Sequence, residues 1–128
     1  MSGARSVVLV VVDDPTIRRL LCDAIRDEFP AARVVEAGDG AEALRLARRL
    51  VPRLILLDWM LPKQSGDGVV QRLRADPALA VVPVIGISAV DCGDGPLAGL
   101  CDAFLRKPFD LEDVLRLVGR HVPRPVAG

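Results

Sequence analysis

Aromatic side chains are scarce in this chain, and neither sign of charge is in excess. Aromatic residues make up 3% of the 128 residues and hydrophobic residues 51%, so aliphatic side chains must fill the core. Lysine and arginine together number 17, which equals the combined number of aspartate and glutamate. A balanced chain creates no general field that attracts DNA or an acidic membrane. We therefore expect neither nucleic acid nor a membrane as a partner of this domain.

Cysteine is also sparse, and long apolar runs are missing. The cysteines are three, at Cys22, Cys92 and Cys101. Their odd number and their spacing match no zinc site, and they indicate reduced thiols in a cytoplasmic protein. The apolar run over 7–12 is too short for a signal peptide or a bilayer span. We predict one cytoplasmic domain over 1–128, with its core at about 5–122 and a tail at 123–128.

Short apolar runs alternate with amphipathic segments along the whole chain. The runs that predict buried strands cover 7–12, 33–37, 54–57, 82–87 and 104–105. Asp14, Asp39 and Asp110 stand at the expected starts of helices, and Asp39 forms a capping-box pattern with Glu42. Such alternation predicts an α/β fold, in which a parallel sheet is covered by helices on both faces.

The segment between the fourth and fifth predicted strands is irregular. Its helix-breaking residues are Gly93, Gly95, Pro96 and Gly99. In the interior of a helix, glycine costs about 1 kcal/mol and proline about 3 kcal/mol. We therefore predict that helix four is short or irregular and is the most mobile part of the fold.

Polar residues stand where the apolar runs stop. They are Asp13, Asp14, Asp58, Ser88 and Lys107. Because the carboxyl ends of parallel strands share one edge of the sheet, these side chains are expected to converge there. Three carboxylates in one place need a cation, and oxygen ligands suit Mg²⁺. A lysine and a hydroxyl beside such a site indicate an incoming phosphoryl group, and a carboxylate can itself be the nucleophile.

Each of these residues also has a structural interpretation when it is taken alone. Asp14 before Pro15 is more often only a helix N-cap. A serine such as Ser88, taken alone, is most often structural. A lysine such as Lys107 is most often a surface charge, and a phenylalanine such as Phe104 is more often a core residue. The case for a functional site therefore depends on the whole set and its order along the chain.

Taken together, the set resembles the receiver domains of response regulators over nearly the whole chain. Two acids follow strand one, and Asp58 begins a segment that continues through Pro62 to Gly66. Ser88 precedes Ala89, and Lys107 precedes Pro108 and Phe109. The resemblance implies a flavodoxin-like, doubly wound sheet of five parallel strands in the order 2-1-3-4-5.

The resemblance also implies a magnesium-dependent phosphorylation site. Asp58 would be the phosphoacceptor and a metal ligand. Asp14 would bind Mg²⁺ directly, and Asp13 would bind it directly or through water. The backbone carbonyl of Met60 would supply a further ligand, and Mn²⁺ would be able to replace Mg²⁺.

The remaining family positions concern the phosphoryl group and the switch. Lys107 would pair with the phosphoryl oxygens, and the family holds this lysine with a cis bond to Pro108. Ser88 would donate a hydrogen bond to the phosphoryl group once it arrives. Ser88 and Phe104 would form the switch, with Phe104 in the position of the family's switch aromatic.

The function implied is that of a phosphoacceptor in a two-component phosphorelay, whose phosphorylation switches the binding of a downstream partner. The donor would be a histidine kinase or a histidine phosphotransfer protein. The domain would not be an enzyme beyond catalysing its own phosphorylation and dephosphorylation. Alternatives are a receiver fragment of a longer, DNA-binding regulator and a phosphohydrolase with an aspartate nucleophile, although Met60 stands where such a hydrolase has its second acid. A flavodoxin-like electron carrier is disfavoured because acids follow strand one, where a flavin phosphate would bind.

Overall fold

Strands and helices alternate along the chain. The computed structural model describes residues 6–62, 65–88 and 101–123. The strands are β1 (Val7–Val11), β2 (Arg33–Ala37), β3 (Leu54–Asp58), β4 (Val84–Ser88) and β5 (Ala103–Arg106). The helices in the described ranges are α1 (Pro15–Glu28), α2 (Gly40–Leu50), α3 (Gly66–Ala75) and α4 (Leu111–Val118). The prediction for the segment between β4 and β5 falls outside the described residues.

The five strands form one parallel sheet in the order β2-β1-β3-β4-β5. Val8 of β1 is in register with Val34 on one side and with Leu54 on the other. On the far side of β3, Ile55 is in register with Val84 of β4. The predicted α/β class and the strand order 2-1-3-4-5 are therefore confirmed.

Two apolar layers cover the sheet, one on each face. Val8, Val10 and Val12 belong to the layer that contains residues of α1 and α4. Leu9 and Val11 belong to the other layer, with residues of α2 and α3. Successive residues of a strand point to opposite faces, so an uninterrupted valine and leucine run is what a strand buried on both sides requires. No helix in the described parts of the chain has the length and apolarity needed to cross a membrane.

Strand and helix boundaries differ from the sequence pattern at a few positions. The fourth strand begins at Val84 instead of residue 82, because Pro83 has no N–H to donate to the ladder, and it extends through Ser88. Asp110 is the N-cap residue of α4, as predicted, although its side chain makes no cap hydrogen bond.

The predicted capping box at the start of α2 forms in a modified way. The Asp39 side chain accepts a hydrogen bond from the N–H of Glu42 at 2.8 Å, as expected. The Glu42 carboxylate reaches one residue further back than expected and accepts from the N–H of Gly38 at 2.9 Å. The link between β2 and α2 is thereby fixed at the same edge of the sheet as Asp58.

Candidate functional site

The Asp58 side chain is held at the carboxyl end of the central strand β3. It is buried, with 4% of its surface exposed, because it directly follows four buried apolar residues. One carboxylate oxygen, Oδ1, accepts a hydrogen bond from the backbone N–H of Met60 at 3.0 Å. The Nζ of Lys107 donates to Oδ1 at 3.3 Å and to Oδ2 at 3.1 Å. Burial beside a cation keeps this carboxylate in a fixed geometry.

Lys107 reaches Asp58 from the loop that follows β5. Its backbone N–H donates to the carbonyl of Ser88 at 2.8 Å, which ties the loop to the end of β4. The peptide bond between Lys107 and Pro108 is cis, as the resemblance implies. Ser88 is itself buried, with 2% of its surface exposed. Since β4 lies between β3 and β5, the sheet brings Asp58, Ser88 and Lys107 to one edge, as the sequence predicts.

The two acids after β1 lie in a different environment. Asp13 and Asp14 are both exposed. The Oδ1 of Asp14 accepts hydrogen bonds from the N–H groups of Thr16 at 2.8 Å and Ile17 at 3.3 Å, so this carboxylate caps α1. Across the described ranges, no three acidic, histidine or cysteine residues are grouped so that they could hold a metal ion. That Asp13, Asp14 and Asp58 together hold a cation remains a prediction.

Met60 contributes to the site through its backbone. Its N–H is bonded to Asp58, whereas 65% of the residue's surface is exposed. The Met60 residue therefore lies at the surface directly beside a buried acid. The predicted role of the Met60 carbonyl as a metal ligand remains a prediction.

Trp59 and Phe104 form an aromatic wall next to Asp58. The two rings meet edge to face, with their centroids 5.0 Å apart and their planes at 68°. The indole Nε1 of Trp59 donates to the Asp67 carboxylate at 3.0 Å, which holds the larger ring in place. The predicted switch residue Phe104 thus contacts the residue that directly follows Asp58.

Gly86 makes this wall possible, although it was not among the residues predicted for the site. A Cβ at Gly86 would lie 2.5 Å from Cε1 of Phe104 and 3.1 Å from Cζ3 of Trp59. Only glycine at this position of β4 lets the Phe104 ring lie directly against the strand. A glycine inside an otherwise apolar strand is a known indication of such a close approach, so the signal was present in the sequence.

Comparison with known proteins identifies relatives of the chain. It is 40% identical over 114 residues to the DNA-binding dual master transcriptional regulator RpaA of Synechocystis, which covers 87% of this chain and 46% of that protein. It is 36% identical over 128 residues to the DNA-binding response regulator MtrA of Mycolicibacterium smegmatis, covering 97% of this chain and 54% of the relative. The chain therefore spans about half the length of these curated relatives.

Solved structures agree with the fold described above. The chemotaxis response regulator CheY4 of Vibrio cholerae superposes with a TM-score of 0.82 at 24% identity, over 93% of this chain and all of that one. The receiver domain of a sensor histidine kinase from Pseudomonas aeruginosa gives a TM-score of 0.79 at 27% identity, over 92% of this chain and 98% of its own. Residues 8–119 match the profile of the response regulator receiver domain, which is most of the chain. The chain therefore belongs to the response regulator receiver domain family.

Proposed function

We propose that Asp58 receives a phosphoryl group from a phosphohistidine, and that this modification is the signal the domain carries in two-component signalling. The observation that carries the proposal is the buried ion pair between Asp58 and Lys107, with Nζ 3.1 Å from Oδ2. A buried carboxylate with a cation and a backbone N–H aimed at it is a prepared nucleophile rather than a surface charge. The donor is a histidine kinase or a histidine phosphotransfer protein.

The transfer step uses the geometry of the site directly. An oxygen of the Asp58 carboxylate attacks the phosphorus, the P–N bond to the donor imidazole breaks, and the bonding pair stays on the nitrogen. The ammonium of Lys107 then neutralises the phosphoryl oxygens in place of the carboxylate. The Ser88 hydroxyl, at the next strand end, donates a hydrogen bond to one of these oxygens. The domain catalyses only its own phosphorylation and dephosphorylation.

The exposed side of the site suits a hard divalent cation. The oxygen donors available at this edge are the carboxylates of Asp58 and Asp13 and the backbone carbonyl of Met60, which fit Mg²⁺, and Mn²⁺ as a substitute. Bound Mg²⁺ supplies positive charge that offsets the charge of the transferred phosphoryl group. The related receiver domain from Pseudomonas aeruginosa was solved with a magnesium ion in its active-site cleft.

The output of the domain is carried by the wall beside Asp58. Phe104 packs on Trp59, the residue directly after Asp58, so a phosphoryl group at Asp58 acts on the Phe104 ring through Trp59. Such a change switches the binding of a downstream partner. A second candidate is that the chain is the receiver part of a DNA-binding regulator. This is favoured by its 40% identity to RpaA over 46% of that protein.

Intact-mass spectrometry after incubation with acetyl phosphate tests the proposal. We expect the mass of one phosphate to be added in the presence of Mg²⁺ or Mn²⁺, and no addition with excess EDTA. The matched variant is Asp58→Asn, which keeps the shape of the side chain and removes the nucleophile. Addition that persists in Asp58→Asn would contradict the assignment of the phosphoacceptor.

A further inference from the structure

The acids that follow β1 are adjacent in sequence but have different surroundings. The carboxylate of Asp14 is turned toward the first turn of α1 and accepts two backbone hydrogen bonds, from Thr16 and Ile17. These N–H groups have no partner within the helix, and a cap satisfies them. Asp13 has no such bond to the helix in the described structure. The Asp14 side chain therefore caps α1, and the Asp13 side chain does not.

The position of Asp13 along the sheet brings it close to the phosphoacceptor strand. Val11, the last residue of β1, is in register with Leu57, the residue directly before Asp58. Val12 continues the strand direction and is buried, and its N–H donates to the carbonyl of Ala37 at 3.1 Å. Asp13 is thus the first residue after β1 that is free of the core. No carboxylate precedes it, because the residue before it is a buried valine.

Arg18 binds the backbone of this same turn. Its Nη1 donates to the carbonyl oxygen of Val12 at 2.8 Å and to that of Asp13 at 3.4 Å. Its Nε donates to the Glu36 carboxylate at 3.1 Å. The guanidinium is half-buried against the β2–α2 link, where a Cβ at Gly38 would lie 3.3 Å from Nη1. One side chain therefore joins the turn, β2 and the β2–α2 link.

We propose that Arg18, anchored by Glu36, is a positioning residue that fixes the backbone at Asp13, and that Asp14 is withdrawn from the cation site as the cap of α1. The cation site then has two carboxylates, from Asp13 and Asp58, instead of three. The proposal rests on the proposed function, since it concerns the cation that assists phosphorylation of Asp58.

Arg18 acts on this turn through the geometry of its hydrogen bonds as well as through its charge. A planar guanidinium donates from several N–H groups in a fixed fork, so Arg18 can hold a carboxylate and two carbonyls at once. An ammonium at the same place keeps the charge but not the fork. Removal of a positive charge near a cation site would by itself strengthen cation binding. A lysine substitution therefore separates positioning from charge.

The first experiment compares two isosteric substitutions, Asp13→Asn and Asp14→Asn, in the full chain. Mg²⁺ binding is followed by titrating the fluorescence of Trp59, the only tryptophan in the chain, at about 0.15 M ionic strength, where exposed charges are screened. We expect Asp13→Asn to weaken Mg²⁺ binding by about tenfold or more. We expect Asp14→Asn to change it by less than about threefold, because asparagine keeps the cap and no ligand is lost.

Thermal melting of Asp14 variants tests the cap independently of the cation. Asp14→Ala is expected to lower Tm by about 3 to 5 °C, while Asp14→Asn is expected to melt close to the wild type. Equal melting of both variants would overturn the capping role. A loss of Mg²⁺ affinity in Asp14→Asn as large as that in Asp13→Asn would overturn the withdrawal of Asp14 from the site.

The second experiment compares Arg18→Lys with Arg19→Lys, which makes the same substitution on the exposed neighbouring residue of α1. Arg18→Lys is expected to weaken Mg²⁺ binding by about five- to tenfold, and Arg19→Lys to leave it unchanged. Equal Mg²⁺ affinities in the two variants would overturn the positioning role. A wild-type chain whose fluorescence and Tm do not respond to Mg²⁺ would instead contradict the proposed function itself.

Discussion

The two acidic places at the carboxyl edge of the sheet differ in how far they are removed from water. Asp58 and Lys107 form an ion pair in which the side chains are 5% and 30% exposed. Asp13 and Asp14, on the neighbouring strand end, are both exposed. A nucleophile benefits from a fixed, dry environment, whereas a hydrated cation such as Mg²⁺ needs open access because it keeps part of its water shell. Under the proposed function, the nucleophile Asp58 therefore lies in the drier place, and the cation would enter past the exposed acids.

The largest expected effect comes from removing the cation of the buried pair. We expect Lys107→Met to slow phosphorylation by acetyl phosphate about 100-fold, because the phosphoryl oxygens lose their cation. We also expect the free energy of unfolding to fall by about 1 to 3 kcal/mol, since Asp58 is left buried without its partner. Phosphate incorporation and urea denaturation measure the two effects.

Two variants control for this prediction. Arg106→Met removes an exposed cation from the end of β5 and is expected to change neither quantity. Adding Asp58→Asn to Lys107→Met should restore most of the lost stability, because the uncompensated charge is gone. A double variant as unstable as Lys107→Met alone would show that the buried pair is not the cause.

A smaller effect is expected at the wall behind the buried pair. Gly86→Ala places a Cβ 2.5 Å from the ring of Phe104, so the ring or the strand must shift. We expect a loss of about 1 to 3 kcal/mol in the free energy of unfolding and a changed Trp59 fluorescence spectrum. Gly119→Ala is the control, because Gly119 has right-handed helical backbone angles that alanine adopts readily.

Shortening the ring tests whether this contact causes the loss. Phe104→Leu is expected to relieve the overlap and to recover part of the stability lost in Gly86→Ala. If Gly86→Ala is as stable as Gly119→Ala, the close packing of Phe104 on β4 is wrong.

Much of the fold was predictable because apolar runs, helix caps and strand order each indicate it independently. The run at 33–37 matches β2 at both ends, and the N-caps at Asp14 and Asp39 were predicted from residue type alone. The convergence of Asp58, Ser88 and Lys107 followed from the single rule that parallel strands end at one edge. These features depend on local pattern and on topology, which a sequence carries directly.

The features that the sequence left open or did not reveal depend on side-chain choices between nearby partners. Asp14 can serve either a cation or the helix amides, and only the backbone geometry of the turn shows that the amides are bonded. No motif marks Arg18 among the arginines, because its bonds depend on the shape of the turn at Val12 and on the packing of α1 against Glu36 of β2. The approach of Phe104 to Gly86 likewise depends on the register of β4 and β5.

The smallest expected effect concerns the thiol of Cys22, which is buried in α1. Burial raises the pKa of the Cys22 thiol to about 11 from 9.0, and this outweighs the attraction of Arg26 and Arg18. Because the folded pKa is raised, the contribution to stability is complete below about pH 9 and is lost as the pH rises toward 11. At pH 10 the loss is about 1 kcal/mol.

The measurement is the pH dependence of urea denaturation in the wild type and in Cys22→Ala. The stability difference between the two proteins should be constant from pH 7 to about 9 and should narrow above it. A difference that stays constant to pH 10.5 would show that Cys22 is not shielded from water as the structure has it.

The most direct test of the account is to locate the phosphoryl group on the chain. Reduction of the phosphorylated protein with borohydride converts an aspartyl phosphate to homoserine, and peptide mass spectrometry then identifies the residue. The buried pair predicts homoserine at position 58 alone, with none in the peptide that carries Asp13 and Asp14. Homoserine at either of these exposed acids, or its absence from position 58, would contradict the assignment of Asp58 as the nucleophile.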